Sequence, residues 1–212
     1  MDTDSTAMPT ELGMDKPFRF NDNRQKYLMF VTTCTEKWVI ADRVSMEISH
    51  LRPKPPALRV FDGGTGDGTV LARVMRDLHR SFPTVPFVVV AKEISLEDVR
   101  QCLEKVPDRL AEHPSTVVVL TNLIYGDAPR LMPSGEGALE SLNWHEIGLS
   151  GNSACDFDEQ IKGLSGVLAD GWQVSISEKT GNPTYVKPTV LVLYREDHRF
   201  ALDRALPQKG DT

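Results

Sequence analysis

The chain has 212 residues, 40% of them hydrophobic and 25% charged, with a formal net charge of −6. This gives room for one α/β domain with a real core and excludes two full catalytic domains. The acidic balance argues against nucleic acid as the main partner, because phosphate binding draws on clustered Lys and Arg.

Residues 1–20 are polar, with Pro9 and Pro17, and are expected to form a tail without fixed structure. They lack a basic head followed by an apolar run, and no stretch of the chain has the length of a membrane span. Cys34, Cys102 and Cys155 show neither a disulfide framework nor a zinc-ligand spacing. A cytoplasmic protein with free thiols and no metal is the expectation.

Residues 21–57 are apolar-rich, with Tyr27, Met29, Phe30, Trp38, Val39, Ile40, Val44, Met46 and Ile48, and read as a helical cap. Its second half is helical to about His50, and Pro53, Pro55 and Pro56 end it. Val60 and Phe61 then form a strand ending in Asp62, and Gly64, Gly66 and Gly68 make a tight turn feeding a helix. That helix runs through Arg73 to Phe82, where Pro83 and Pro86 stop it. Phe87 to Ala91 is fully apolar, as a strand buried on both faces is, and ends at Lys92 and Glu93. A helix from Leu96 to Ala111 puts Val99, Cys102, Leu103, Val106 and Leu110 on one face, and Thr116 to Leu120 is a third strand.

Pro129 to Gly137 reads as loop, and Ala138 to Leu142 as a weaker strand running into Asn143, Trp144, His145 and Glu146. After a loop from Gly148 to Ala154, a helix spans Asp156 to Leu168 and a fifth strand Trp172 to Ile176. A turn at Gly181-Asn182-Pro183 and the run Thr189 to Tyr194 suggest an antiparallel hairpin partner. The whole predicts an open, doubly wound, mostly parallel α/β sheet with helices on both faces and a shortened antiparallel C-terminal hairpin. Its core spans 58–198, and 199–212 is a polar tail.

The spacing D-x-G-x-G-x-G from Asp62 to Gly68 bears on the ligand. A dinucleotide fingerprint would need a glycine at Thr69, and a triphosphate loop a lysine where Asp67 stands. With Asp62, three glycines and Asp67, the segment resembles motif I of the class I S-adenosylmethionine-dependent methyltransferases. Glu93 matches the acid that binds both ribose hydroxyls in that family, a task suited to a carboxylate's two acceptor oxygens. Ser95 followed by Glu97 and Asp98 equally suits a helix cap with acids in its first turn, so Glu93 has a capping reading too.

The resemblance implies S-adenosylmethionine as cofactor, held by Asp62, Gly64, Thr65, Gly66, Glu93, Ile94, Asn122, Leu123 and Asn143, with the main-chain N–H groups of the helix start receiving a carboxylate. For the adenine-facing position Asn122 is favoured on spacing, and Asp127 of Gly126-Asp127-Ala128 stays open. Tyr27, Thr33 and Trp38 can touch ligand if the cap lies over the site, and simple packing explains them as well. His145 or Glu146 would be the general base near the methyl group, against a plain structural role for both. The implied activity is methyl transfer to a small-molecule or protein nucleophile, with a homodimer left open. A binding scaffold without catalysis is the alternative, favoured by the short region after the fifth strand.

Overall fold

Three runs of valine, leucine and threonine build the middle of the sheet, and the computed structural model describes them within residues 36–135, 137–178 and 181–205. The expectations for residues 1–20 and for Tyr27, Met29, Phe30 and Thr33 lie outside the described residues. Helix α1 (Glu36–Glu47) and a 3-10 turn (Ile48–His50) precede β1 (Leu58–Gly63), α2 (Thr69–Ser81) and β2 (Phe87–Lys92). Then come α3 (Leu96–Leu103), α4 (Val106–Glu112), β3 (Thr116–Thr121) and β4 (Asn143–Leu149). Helices α5 (Ala154–Lys162) and α6 (Ser165–Gly171) lead to β5 (Val174–Ile176), β6 (Pro183–Tyr185), β7 (Thr189–Arg195) and α7 (Arg199–Ala205).

The fold is α/β, with a five-stranded, mostly parallel sheet in the order β1-β2-β3-β7-β4 and a separate antiparallel pair, β5-β6. Every residue of β2, β3 and β7 is buried, as continuous apolar runs require of central strands, and the half-exposed β1 and β4 form the edges. Strands β1, β2 and β3 advance in one direction, β7 runs antiparallel to β3, and β4 runs parallel to β7.

Successive parallel crossovers of one hand place their helices on one side of a sheet. The first core accordingly joins Leu71, Met75 and Leu78 of α2, Val99 of α3, Leu110 of α4 and Phe157 of α5 to one face of β2, β3 and β7. On the other face Val88, Val90, Val119 and Val192 are covered by Leu123, Ala128 and Leu131 of the β3–β4 connection and by Ala205 of α7. The helices are thus unevenly divided, and β1 is an edge strand rather than the centre of a strand-order reversal.

Several sequence expectations are corrected. The helix expected from Leu96 to Ala111 is two, because Pro107 sits in the first turn of α4 and cannot continue α3. The second helix breaks likewise at Gly163 and Leu164. Residues 137–140 are turn, and the fourth strand starts only at Asn143. Trp172 caps α6, and the exposed β5 pairs with β6 outside the main sheet. The run at Thr189 makes no hairpin with β5: buried on both faces, it fills the slot between β3 and β4. The expected tail begins as α7, whose last carbonyl, on Ala205, accepts from Arg59 Nη2 at 2.6 Å.

Candidate functional site

Gly64, Gly66 and Gly68 have φ of +86°, +56° and +75°, so the turn after β1 needs three left-handed residues, which glycine adopts without Cβ strain. The turn lies over the end of β2, where the Lys92 carbonyl accepts from Gly64 N at 2.9 Å and Thr65 N at 3.0 Å. A Cβ on Gly66 would meet nothing within 4 Å, whereas one on Gly68 would lie 2.7 Å from Cys102 Sγ. Gly68 therefore lets α2 start against α3, and Gly66 faces open space. Burial pushes the Cys102 thiol up to about 12, so it is a packing residue.

Glu93 ties the two strand tips together. Its Oε2 accepts from Gly66 N at 2.9 Å, and its Oε1 from Ile94 N at 2.7 Å and Ser95 N at 3.0 Å. Trp172 Nε1 donates to the Glu93 carbonyl at 2.8 Å, and Ser95 caps α3 through Asp98 N at 3.3 Å. The cap of α3 is thus Ser95, while Glu93 is engaged by three main-chain N–H groups outside the helix, which leaves about one of a carboxylate's roughly four acceptor positions for a ribose hydroxyl.

Three further acids gather here. Burial raises Asp62, with Thr65 opposing and Glu93 adding to the shift. Burial also raises Asp98, against Ser95 and with Glu93 and Asp67; its Oδ1 is buried with no hydrogen-bond partner among the described residues. Asp67 moves the other way: against desolvation, Lys37 and Thr69 hold it below the usual carboxylate range. Its Oδ1 is 2.8 Å from Lys37 Nζ, which fastens α1 to the loop.

The expected anion cradle is corrected. Gly64, Thr65, Gly66, Gly68 and Thr69 all give their N–H groups to internal acceptors, so the main chain here holds no ready nest for a carboxylate. Four carboxylates, Asp62, Asp67, Glu93 and Asp98, gather at the turn, with Lys37 on the Asp67 side chain and Lys105 on its carbonyl.

The remaining candidates separate from it. Asn122 is 1% exposed; its Nδ2 donates to the Gly171 and Lys187 carbonyls and its Oδ1 accepts from Thr189 N, each at 2.8 Å. That amide joins β3 to β7 and α6 and is closed to an adenine. Leu123 is buried in the second core. Asp127 is buried too and accepts from the Ser134 N–H and hydroxyl, closing its own loop. Asn143, His145 and Glu146 lie on β4, four strand spacings from β1, or about 19 Å. Asn143 Nδ2 and His145 Nε2 are buried with no hydrogen-bond partner among the described residues, and Glu146 is 3.6 Å from Arg199. The sheet order therefore denies these three a place at the glycine loop.

No family model matches the chain, and no curated protein or solved structure matches it. No group of His, Cys, Asp or Glu fit to hold a metal occurs among the described residues, and no described helix is long and apolar enough to cross a membrane. The sequence reading missed the roles of Lys37, Asp98 and Trp172. Asp98 alone carried a local signal, as a first-turn acid five residues beyond Glu93.

Proposed function

We propose that the crevice at the tips of β1 and β2 binds S-adenosylmethionine and that the chain is a methyltransferase acting on a small-molecule or protein nucleophile. One observation carries this reading: Glu93 holds the open, left-handed Gly66 by its N–H, and the buried carboxyls of Asp62 and Asp98 lie within reach of the Glu93 charge. A sulfonium and an ammonium group are favoured among carboxylates, whereas the phosphates of a dinucleotide or triphosphate are repelled. Asp62 and Asp98 would face the cationic end, and the last acceptor position of Glu93 would take one ribose hydroxyl. A second hydroxyl bond follows if Gly66 N–H is released.

The sulfonium supplies the activated methyl group. The chain's contribution is to hold donor and acceptor in line, which can be worth effective molarities on the order of 10⁵ to 10⁸ M without an acid or base. The Rossmann-like relation lies in the β1–turn–α2–β2 unit, and free thiols at Cys102 and Cys155 fit a cytoplasmic setting. A second reading, a binding module without transfer, is favoured by the position of His145 and Glu146 on the far edge strand.

Calorimetric titration with S-adenosylhomocysteine and with NAD tests the site. Binding of the first and not the second is expected, and the reverse sinks the proposal. Incubation with labelled S-adenosylmethionine and an extract of metabolites and proteins then separates the two readings, since label stays on the cofactor if the chain only binds.

A further inference from the structure

The side of the β1–β2 ladder turned away from α2 carries the register pairs Arg59 with Val88, Phe61 with Val90 and Gly63 with Lys92. Pro129 and Leu131 cover part of it, leaving a cavity of about 220 Å³ against Arg59, Phe61, Val88 and Val90, with no carboxylate in its walls. This face is apolar and cationic, whereas the glycine turn on the other side gathers Asp62, Asp67, Glu93 and Asp98.

Lys92 lies two residues beyond Val90 on the same face. It is 7% exposed, and its Nζ stands 4.8 Å from the centroid of the Tyr125 ring. It meets no carboxylate among the described residues. Glu93, the acid whose charge reaches it, is engaged by main-chain N–H groups. Desolvation holds the ammonium below the usual lysine range, although Glu93 favours its charge. An ammonium largely withdrawn from water, beside an aromatic face and without a carboxylate partner, is a favourable seat for an anion. Tyr125 is an exposed side chain, so its ring can lift from Gly63 and Lys92 without opening either core.

We infer that this face binds a small carboxylic acid with an unbranched apolar chain, its carboxylate on Lys92 beneath Tyr125 and its chain along Phe61 and Val90 into the cavity. Two residues of strand span about 7 Å, so a chain of about six to eight carbons reaches from the ammonium into the cavity. The acid is the component the site lacks: a counter-charge for Lys92 joined to apolar surface for Phe61 and Val90. This site is independent of the S-adenosylmethionine reading.

Octanoate and octanol, titrated calorimetrically into the whole protein, test the inference. Octanoate should bind at least about tenfold more tightly, as expected for a charge-assisted contact out of water. Lys92→Met should erase the difference, and Phe61→Ala should weaken both probes. Lysine-selective nitrogen NMR of the unaltered protein gives a readout that needs no variant to fold: octanoate should shift the Lys92 Nζ resonance. Equal affinity for the two probes, an octanoate preference that survives Lys92→Met, or a Lys92 resonance unmoved at saturation overturns the assignment.

Discussion

Gly66 and Gly68 share a left-handed backbone and differ in their surroundings, which gives two similar substitutions different outcomes. Gly68→Ala places a methyl group 2.7 Å from Cys102 Sγ and 3.0 Å from its Cα, where overpacking adds to backbone strain. A loss of about 2 to 4 kcal/mol is expected in urea unfolding. Gly66→Ala meets open space and should lose only the strain, about 1 to 2 kcal/mol. Glu93→Ala leaves the N–H groups of Gly66, Ile94 and Ser95 without their acceptor and should cost about 2 to 4 kcal/mol with no ligand present. An acid held in reserve for ribose alone would leave the ligand-free melting point unchanged, so differential scanning calorimetry of that variant decides between the roles. The glycine turn after Asp62 was legible because its need for left-handed backbone is local, whereas the bond from Gly66 to Glu93, 27 positions away, was not. Asn122 was not, since its amide is consumed by residues 49 to 67 positions further along the chain.

Between α2, α4 and β3 lies a buried pair of imidazoles. His79 and His113 stack with ring centroids 4.8 Å apart, and Thr116 Oγ1 lies 3.1 Å from a nitrogen of each ring. The hydroxyl can donate to one ring while accepting from the other only if the first is neutral. Burial, with the positive neighbours His113 and Arg109, pushes His79 down from 6.5 to about 3; Glu112 Oε2, at 3.8 Å, is too distant for a hydrogen bond. The unfolded chain therefore takes up this proton first. The His79 contribution to stability is complete above 6.5 and is lost progressively as the pH falls toward 3. Its slope is at most about 1.4 kcal/mol per pH unit, to be read from urea midpoints of the protein and a His79→Leu variant across that window. Asp62 and Asp98, raised by burial, act in the opposite direction and cancel in the comparison. At this scale the apolar runs showed which segments are buried strands. They did not show partners: β7 carries the same two-sided pattern as β2 and β3, and nothing local distinguishes a hairpin arm from the strand that fills the gap beside β3.

Strand order governs the molecule as a whole. With β1 and β4 at opposite margins, His145→Ala and Glu146→Gln should leave S-adenosylmethionine affinity unchanged within about twofold by calorimetry, since about 19 Å separates the margins. A larger drop would mean that the sheet order misplaces the site. The α/β class and the mainly parallel pairing of the main sheet were readable from the alternation of apolar runs with amphipathic segments. The course after β3 was not, because hydropathy reports how deeply a strand is covered and is silent on which strand lies beside it. The late insertion of β7 also matters during synthesis. Residues 143–149 leave the ribosome some forty positions ahead of β7, the strand they pair with among the described residues. Until that strand arrives, the nascent polypeptide displays two unpaired ribbon margins, at β3 and at β4, where premature association between growing copies would begin.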